Sequence, residues 1–340
     1  MLKMAGSGVV LCFGEILLRL SASRGESLLE EARLLAHFGG AEANVAVALA
    51  GLGRAARMLS LVPDNAVGRS AMGSLRRRGV DVSSIRVCPG RLGLYFLEPG
   101  AGARAASVVY DRAGSLFARA RPGDFDWDDA LAGADWLHLS GITPALGVDA
   151  SNSALAAIAE ARARGVRVSF DGNYRAQLWA ARGGDAQAVL RGLVDGADLF
   201  IGNHRDIGLL LGGNYAGDDE PDRRVAALDA FAAFPRLRWI ASTSRHVEDA
   251  DRQSLAARLD TPETYWEVPE VRLTAIIDRI GTGDAFAAGI LDGLLDDDAS
   301  AALRTGHAMA VLKHFALGDH SQATRADIDA FLAGERDVRR

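Results

Sequence analysis

The chain has 340 residues, a formal net charge of −6 and a hydrophobic fraction of 49%. This length is enough for one large α/β domain or two smaller ones with a sizeable core. The acidic balance argues against a nucleic acid or a membrane surface as the main partner. Cys12 and Cys88 show no metal-site or disulfide spacing, and the apolar run Val9–Phe13 is too short for a signal peptide or a membrane span. We therefore expect a soluble cytoplasmic protein.

Short β-rich runs alternate with longer runs rich in Ala and Leu. In chain order the predicted elements are strand Val9–Phe13, helix Ala41–Leu52, strand Arg57–Val62, helix Ala66–Arg78, strands Leu92–Leu97, Ser107–Tyr110 and Trp136–Leu139, helix Ser153–Arg164, strand Val166–Phe170, helix Ala186–Val194, strand Leu199–Ile201, helix Asp222–Ala233, strand Trp239–Ala241, and helices Asp284–Leu295, Ser300–Phe315 and Ala326–Leu332. This alternation predicts an α/β fold with a central, mostly parallel sheet flanked by helices.

One region interrupts the alternation. Residues 91–112 read as a strand, a turn with Pro99-Gly100 and Gly102, and a second strand, which predicts a β-hairpin. Residues 15–20 can add a further strand. We therefore expect a small β-sheet lid over a larger α/β core.

The segment "DRIGTGDAFAAG" at residues 278–289 places Gly281, Thr282, Gly283 and Asp284 at the start of an apolar helix. Glycines there let backbone N–H groups approach a ligand, and the helix N-terminus adds partial positive charge, so the segment suits an anion. An aspartate beside that anion can accept the proton of an attacking hydroxyl. The alternative is a loop glycine pair followed by an ordinary capping residue.

Three further segments carry polar residues where ligands bind in α/β proteins. Gly39-Gly40 and Asn44 open a helix of small residues, where a polyhydroxy ligand or only a tight turn fits. Arg175 follows a buried strand and could grip a carboxylate or phosphate, or form a surface ion pair. Asn203 and Asp206 follow another strand and could order Mg²⁺ through waters or cap a helix.

Two of these segments resemble the signatures of the ribokinase-like (PfkB-type) carbohydrate kinases. "GGAEANVAVALAGLG" is similar to the N-terminal signature, and "DRIGTGDAFAAGIL" is similar to the C-terminal one. Within this family the chain most resembles the 2-keto-3-deoxygluconate kinases, through "GLYFLEPG", "VVYDRAGS", "WLHLSGITPAL", "FDGNYRAQLW" and "LKHFALGDH". The resemblance covers nearly the whole chain and implies a single ribokinase-like domain, residues 1–340, with a lid at about residues 15–36 and 91–112.

The resemblance implies transfer of the γ-phosphoryl group of ATP, with Mg²⁺, to a hydroxyl of 2-keto-3-deoxygluconate. The implied catalytic residues are Asp284 as general base with Gly281, Thr282 and Gly283 as the anion hole. The implied substrate contacts are Gly40, Asn44, Tyr95, Tyr110, Arg112, Arg175 and Asp319. The implied nucleotide contacts are Asn173, Arg175, Asn203, Thr243, Ser244, Gly281, Gly283 and His307, and Asp206 would hold the metal indirectly through water. The lid would serve a homo-oligomer, as a dimer or higher.

Two departures from the family pattern concern the nucleotide. The usual Asn-x-x-Glu is Asn203-x-x-Asp206 here, and residues 241–255, which the resemblance places at the nucleotide loop, contain no glycine. Alternative functions are a kinase of fructose or 2-keto-3-deoxygalactonate, or a sensor that binds a sugar acid without turnover. Arg112 and Arg175 favour an acidic ligand. We also expect the helix N-terminus and Mg²⁺ to keep the pKa of Asp284 low.

Overall fold

The structure is a computed structural model that describes residues 8–28, 30, 33–217 and 220–335. The strands are β1 Val9–Phe13, β2 Leu17–Ser21, β3 Leu35–Gly39, β4 Ala55–Pro63, β5 Ile85–Cys88, β6 Gly93–Glu98, β7 Ser107–Asp111, β8 Ala134–Ser140, β9 Arg167–Asp171, β10 Leu199–Ile201, β11 Trp239–Val247, β12 Arg252–Asp260 and β13 Tyr265–Thr274. The α-helices are α1 Ala41–Gly51, α2 Ala66–Arg76, α3 Trp127–Leu131, α4 Ile142–Ala145, α5 Val148–Ala163, α6 Ala176–Arg182, α7 Ala186–Asp195, α8 His204–Leu211, α9 Glu220–Ala233, α10 Thr282–Leu295, α11 Ala299–Lys313 and α12 Arg325–Leu332. None of the described helices is long and apolar enough to cross a membrane.

A nine-stranded sheet in the order β13-β12-β11-β10-β9-β8-β1-β4-β5 forms the centre of the fold. The strands from β5 to β11 are parallel, and β12 and β13 continue the sheet antiparallel. Buried apolar side chains form one cluster on each face, covered by α1, α10 and α11 on one side and by α5, α7 and α9 on the other. The predicted α/β architecture with a mostly parallel sheet is confirmed.

A second sheet, in the order β3-β2-β6-β7, lies over one end of the large sheet. β6 and β7 pair antiparallel, so the predicted hairpin is confirmed, and β2 pairs parallel with β6. Burial alternates along β2 and β6, which places Arg19 and Tyr95 on the buried face. We call this four-stranded sheet the lid.

The tip of the lid hairpin is attached to the turn between β11 and β12. The Ala250 N–H donates to the Gly102 carbonyl at 3.0 Å, and the Gly102 N–H donates to Asp251 Oδ2 at 3.2 Å. Arg24, which follows β2, forms an ion pair with the same Asp251. The lid therefore touches the large sheet at a second place, far along the chain from its own strands.

Residues 241–255 are not a loop. The predicted strand Trp239–Ala241 continues to Val247, and β12 pairs with it antiparallel from Gln253 to Asp260. The outer half of β11 is exposed, so it lacks the apolar alternation that marks a buried strand. The segment that departs from the family's glycine-containing loop is thus a β-hairpin, here called the β11–β12 hairpin.

Helices α10 and α11 approach each other at glycines. A Cβ on Gly289 would lie 2.5 Å from Gly306 Cα, which is closer than any tolerated contact. Close packing of this kind fixes α10 rigidly, and α10 carries Asp284 in its first turn.

We expect Gly289→Ala to lower the free energy of unfolding by roughly 1–3 kcal/mol because the added methyl group overpacks the contact between the helices. Urea denaturation followed by circular dichroism measures this change. Gly123→Ala is the matched control, since a Cβ there meets nothing within 4 Å. Equal stability of the two variants would contradict the packing argument.

Candidate active site

Two cavities lie beyond the carboxyl ends of the parallel strands, where ligands bind in open α/β sheets. The first, about 450 Å³, lies under the lid and is here called the lid cavity. The second, about 820 Å³, lies beside the β11–β12 hairpin and is called the hairpin cavity. Arg245, Thr282 and Gly283 line both, so the two cavities meet at the start of α10.

The fold gathers most of the residues proposed from the sequence into these cavities. The lid cavity is lined by Gly40, Asn44, Tyr95, Tyr110, Arg112, Asn173, Arg175, Gly281, Thr282, Gly283, Asp284 and Asp319. The hairpin cavity is lined by Asn203, Thr243, Ser244, Thr282 and Gly283. Asp206 and His307 line neither.

The predicted anion-hole segment has the geometry of an anion site. Gly281 is the N-cap of α10 with φ +82°, and a Cβ there would lie 1.9 Å from the Asp319 carbonyl oxygen, so only glycine fits. The first N–H groups of a helix have no partner within it. In α10 these groups belong to residues that line both cavities, and they can receive an anion at the junction.

Asp284 lies in the first turn of α10 and accepts a hydrogen bond from Asn44 Nδ2 at 2.6 Å. The low pKa expected from the helix N-terminus and Mg²⁺ together stays a prediction, since the protein groups alone act in the opposite direction. Burial raises the pKa of Asp284 to about 6, although the Asn44 hydrogen bond and the charge of Arg175 act in the opposite direction. A carboxyl with this pKa is mostly ionised at neutral pH and is a suitable proton acceptor.

Asp171 lies close enough to Asp284 and to Asp206 for its charge to interact with both. Burial, followed by the charges of Asp284 and Asp206, raises the pKa of Asp171 to about 8. Burial also raises the pKa of Asp206. Among the described residues, no three metal-binding side chains are arranged to hold an ion directly. The mutual repulsion of these carboxyls nevertheless fits a divalent cation held through waters and a ligand's oxygens.

Arg112, which the resemblance places among the substrate contacts, lines the lid cavity but is largely paired with Glu15. Its Nε is 2.9 Å from Glu15 Oε2, and its Nη2 contacts the same oxygen. Ser115 donates to the other oxygen of Glu15. The remaining nitrogen of Arg112, Nη1, is buried and has no hydrogen-bond partner within the described residues, in a residue that lines the lid cavity. Glu15 was not proposed from the sequence.

Asp319 likewise has partners on both oxygens. Arg19 Nη1 donates to Oδ1 at 2.9 Å, and the Tyr95 hydroxyl donates to Oδ2 at 2.5 Å. Arg19 also pairs with Asp278 at 2.7 Å. Asp319 therefore holds the lid through both of its carboxylate oxygens, and any contact with a substrate is made in addition to these bonds. Arg19 was missed because an arginine on a predicted strand carries no sign of its partners.

Arg175, by contrast, has an exposed guanidinium. It is exposed at the N-cap position of α6, and its one recorded hydrogen bond goes to the Tyr174 carbonyl at 3.5 Å. No ion pair of Arg175 occurs within the described residues. Asn173, next to it, has φ +36° and donates from Nδ2 to Ser140 Oγ at 3.2 Å.

The residues proposed for the nucleotide divide into two groups. Thr243 and Ser244 lie on β11 and line the hairpin cavity. Asn203 caps α8, and Asp206 Oδ2 accepts the Asn203 N–H at 2.8 Å, so the capping alternative holds for this pair.

His307 was wrongly placed at the nucleotide. Its side chain is 2% exposed within α11, and Nε2 lies 3.0 Å from the Leu255 carbonyl oxygen. Burial lowers its pKa. His307 therefore connects α11 to β12 inside the core and does not reach either cavity.

Glu42 is a further residue that the sequence did not single out. It lies in α1 and is fully buried, with no hydrogen-bond partner on either carboxyl oxygen. Burial raises the pKa of Glu42 to about 7. A glutamate between two alanines in a small-residue helix gives no sequence signal for this burial.

Comparisons with known proteins agree with this geometry. The pfkB family carbohydrate kinase model matches residues 9–323. The chain is 32% identical to a 2-dehydro-3-deoxygalactonokinase of Haloferax volcanii over 326 residues, which cover 95% of this chain and 96% of that protein.

Solved structures show the same fold. The 2-dehydro-3-deoxygluconokinase of Thermotoga maritima superposes with a TM-score of 0.91 at 33% identity, covering 98% of this chain and 100% of that one. A putative ribokinase II of E. coli, in complex with ATP and Mg²⁺, has a TM-score of 0.80 at 19% identity, covers 96% of this chain and 99% of its own, and shares the fold alone. Since the family match spans both cavities and the anion-hole segment between them, the chain belongs to the pfkB family of carbohydrate kinases.

Proposed function

We propose that this protein transfers the γ-phosphoryl group of ATP to a hydroxyl of 2-keto-3-deoxygluconate, giving 2-keto-3-deoxy-6-phosphogluconate and ADP. The observation that carries the proposal is the lid cavity, where the unpaired guanidinium of Arg175 and the free Nη1 of Arg112 lie with Asp284. A neutral sugar gives these cations no partner, whereas a sugar acid supplies a carboxylate. The relatives named for 2-dehydro-3-deoxy sugar acids support the same substrate class.

The chemistry follows from the junction of the two cavities. The acceptor hydroxyl lies in the lid cavity beside Asp284, and the Asp284 carboxylate takes its proton as the oxygen attacks the γ-phosphorus. The bond from the γ-phosphorus to the bridging oxygen breaks, and the electron pair leaves with ADP. Backbone N–H groups at Gly281, Thr282 and Gly283 stabilise the charge on the transferring group.

ATP occupies the hairpin cavity in this proposal. Thr243 and Ser244 contact the nucleotide from β11, and its phosphates reach Arg245 and Arg279 at the junction. Neither arginine has an ion-pair partner within the described residues. Loss of solvent and the charge of Arg279 lower the pKa of Arg245, and a polyphosphate relieves this repulsion. Asp206 and Asp171 would hold Mg²⁺ through water, and the ion would supply further neutralisation of the phosphates.

2-Keto-3-deoxygalactonate is the second candidate acceptor. It has the same carboxylate and keto group and differs in the configuration of one hydroxyl-bearing carbon. The Haloferax relative, which aligns with 95% of this chain, is named a 2-dehydro-3-deoxygalactonokinase and so favours this acceptor. The residues that grip the carboxylate serve both epimers equally, so the choice depends on hydroxyl contacts deeper in the lid cavity.

The outer face of the lid supports a proposed homodimer. Leu20, Leu94 and Phe96 alternate with the buried residues of their strands, and Val109 beside Phe96 is 53% exposed. An apolar sheet face of this kind is typical of an interface between copies of a chain. We expect light scattering to give a dimer mass for the wild type and a monomer mass for Phe96→Glu. A dimeric variant would exclude this face as the interface.

ADP formation measured with 2-keto-3-deoxygluconate, its galactonate epimer and fructose tests the proposed function. We expect turnover of a sugar acid and little of fructose. Asp284→Asn should lower kcat by about 10³-fold because the general base is lost, with sugar-acid affinity by calorimetry nearly unchanged. Asp64→Asn, on the surface, is the control. A preference for fructose or strong turnover by Asp284→Asn would reject the proposal.

The pH dependence gives a separate test of the base. Because Asp284 must be ionised and its pKa is about 6, kcat/KM should fall as pH drops below 6, about tenfold per unit. Above pH 7 this group no longer limits the rate. In Asp284→Asn the residual kcat/KM should not fall in this way below pH 6. An identical fall in the variant would assign the pH dependence to another group.

Arg175→Ala tests the carboxylate contact. We expect KM for the sugar acid to rise roughly 10- to 100-fold because a charge-assisted hydrogen bond is lost. Arg69→Ala, which removes an exposed arginine elsewhere, should leave KM unchanged. Unchanged KM and kcat in Arg175→Ala would remove this residue from substrate recognition.

A further inference from the structure

Lysine is almost absent from this chain. Of the 38 lysines and arginines, only Lys3 and Lys313 are lysine. Lys3 lies outside the described residues, and Lys313 is the last residue of α11, with 1% of its surface exposed. Almost all basic residues of this chain are therefore arginine, yet the ammonium group of Lys313 lies in the interior.

The ammonium group of Lys313 donates hydrogen bonds to two main-chain carbonyls. Lys313 Nζ donates to the Ala316 carbonyl at 2.9 Å and to the Asp278 carbonyl at 3.3 Å. No ion pair of Lys313 with a carboxylate occurs within the described residues. The carboxylate of Asp278 is engaged by Arg19 and by the N–H groups of Ile280 and Gly318. Lys313 is therefore held by carbonyl dipoles at a helix C-terminus, which attract a cation.

Buried carboxylates nearby make a charged ammonium tolerable. Burial lowers the pKa of Lys313, while the charges of Asp278 and Asp319 act in the opposite direction. Burying an ammonium costs several kcal/mol unless such charges and hydrogen bonds offset it. A cost of this kind, next to the segment that enters α10, suggests a role for the ammonium beyond packing.

The contacts of Lys313 lead to the anion hole. Asp278 precedes Gly281 by three residues, and the N–H groups of Ile277 and Asp278 donate to the His314 carbonyl at 2.9 and 3.2 Å. The end of α11 is thereby joined to the segment that enters α10. Displacement of the Asp278 carbonyl moves this segment and the N–H groups that face the phosphoryl group.

A compact cation on carbonyl oxygens has the coordination that proteins give a bound monovalent metal ion. The planar guanidinium of arginine is larger and needs a fork of acceptors, so it does not substitute here. We propose that Lys313 is a built-in cation that positions the anion-hole segment, so that catalysis needs no monovalent metal ion at this place. The kinetic part of this proposal rests on the proposed kinase function.

Chemical rescue tests the proposal. Wild type and Lys313→Met are assayed in potassium, ammonium and tetramethylammonium chloride at equal ionic strength. Wild-type kcat should be the same in all three salts. In tetramethylammonium, the variant should lose about 100-fold in kcat because the anion hole is misplaced, with sugar-acid KM nearly unchanged. Ammonium or potassium should raise the kcat of the variant at least about tenfold, because these ions can occupy the space that the lysine ammonium fills in the wild type.

Two controls separate positioning from general damage. Leu303→Ala removes a buried side chain from the same helix, and Arg304→Met removes an exposed charge from it. Neither should respond to the choice of cation. Wild-type activity that requires potassium, a fully active Lys313→Met, or a loss that no cation rescues would each overturn the proposal.

Thermal unfolding provides a readout that needs no turnover. Ammonium or potassium should raise the Tm of Lys313→Met relative to tetramethylammonium, and should not do so in wild type or Leu303→Ala. If wild type phosphorylates no sugar acid, the proposed function fails while this measurement still decides the role of Lys313. Lys313→Gln is the second variant, and failure of both variants to fold in every salt would assign Lys313 a purely structural role.

Discussion

One buried arginine joins the lid to the anion hole. Arg19 pairs with Asp278 at 2.7 Å and with Asp319 at 2.9 Å, and at most 4% of any of these side chains is exposed. Breaking such a pair leaves an uncompensated buried charge and costs roughly 3–5 kcal/mol. The backbone of Asp319 packs against Gly281, so the guanidinium that fixes the lid strand also fixes the start of α10. This contact therefore couples the lid to the first turn of α10, which carries Asp284.

The carboxyls around the site fall into two electrostatic groups. Glu15 and Asp319 each have an arginine partner, and they hold the lid and its residues in place. Asp171 and Asp284 have no ion-pair partner within the described residues, and their pKa values are raised to about 8 and about 6. Groups with perturbed pKa values cluster where chemistry takes place. The paired carboxyls therefore hold the lid and its residues in place, and the unpaired carboxyls are available to bind a proton or a cation.

Local sequence patterns predicted the fold well. The strand and helix alternation, the lid hairpin and the glycine segment before α10 all involve neighbours along the chain, where periodicity and turn residues carry information. The extension of β11 into the β11–β12 hairpin was missed because the outer half of β11 is exposed and polar.

The pairing of charges could not be predicted in this way. Arg112 and Glu15 are 97 positions apart, and Arg19 and Asp319 are 300 positions apart. No spacing rule connects such partners, so Arg112 was listed as a substrate contact without its partner Glu15, and Arg19 was not singled out. His307 failed for the same reason, since its burial depends on how α11 packs against β12. The sequence therefore predicts which residue types gather at the site more reliably than which of them remain free.

The contact between the lid tip and the β11–β12 turn has a thermodynamic consequence. Asp251 bonds to Gly102 and Arg24, both from the lid region, while the strands on either side of it form a wall of the hairpin cavity. If the proposed ligands occupy the two cavities, any movement of the lid on binding the first would alter the wall that contacts the second. Such linkage is reciprocal: the factor by which the first ligand changes the affinity for the second equals the factor by which the second changes the affinity for the first.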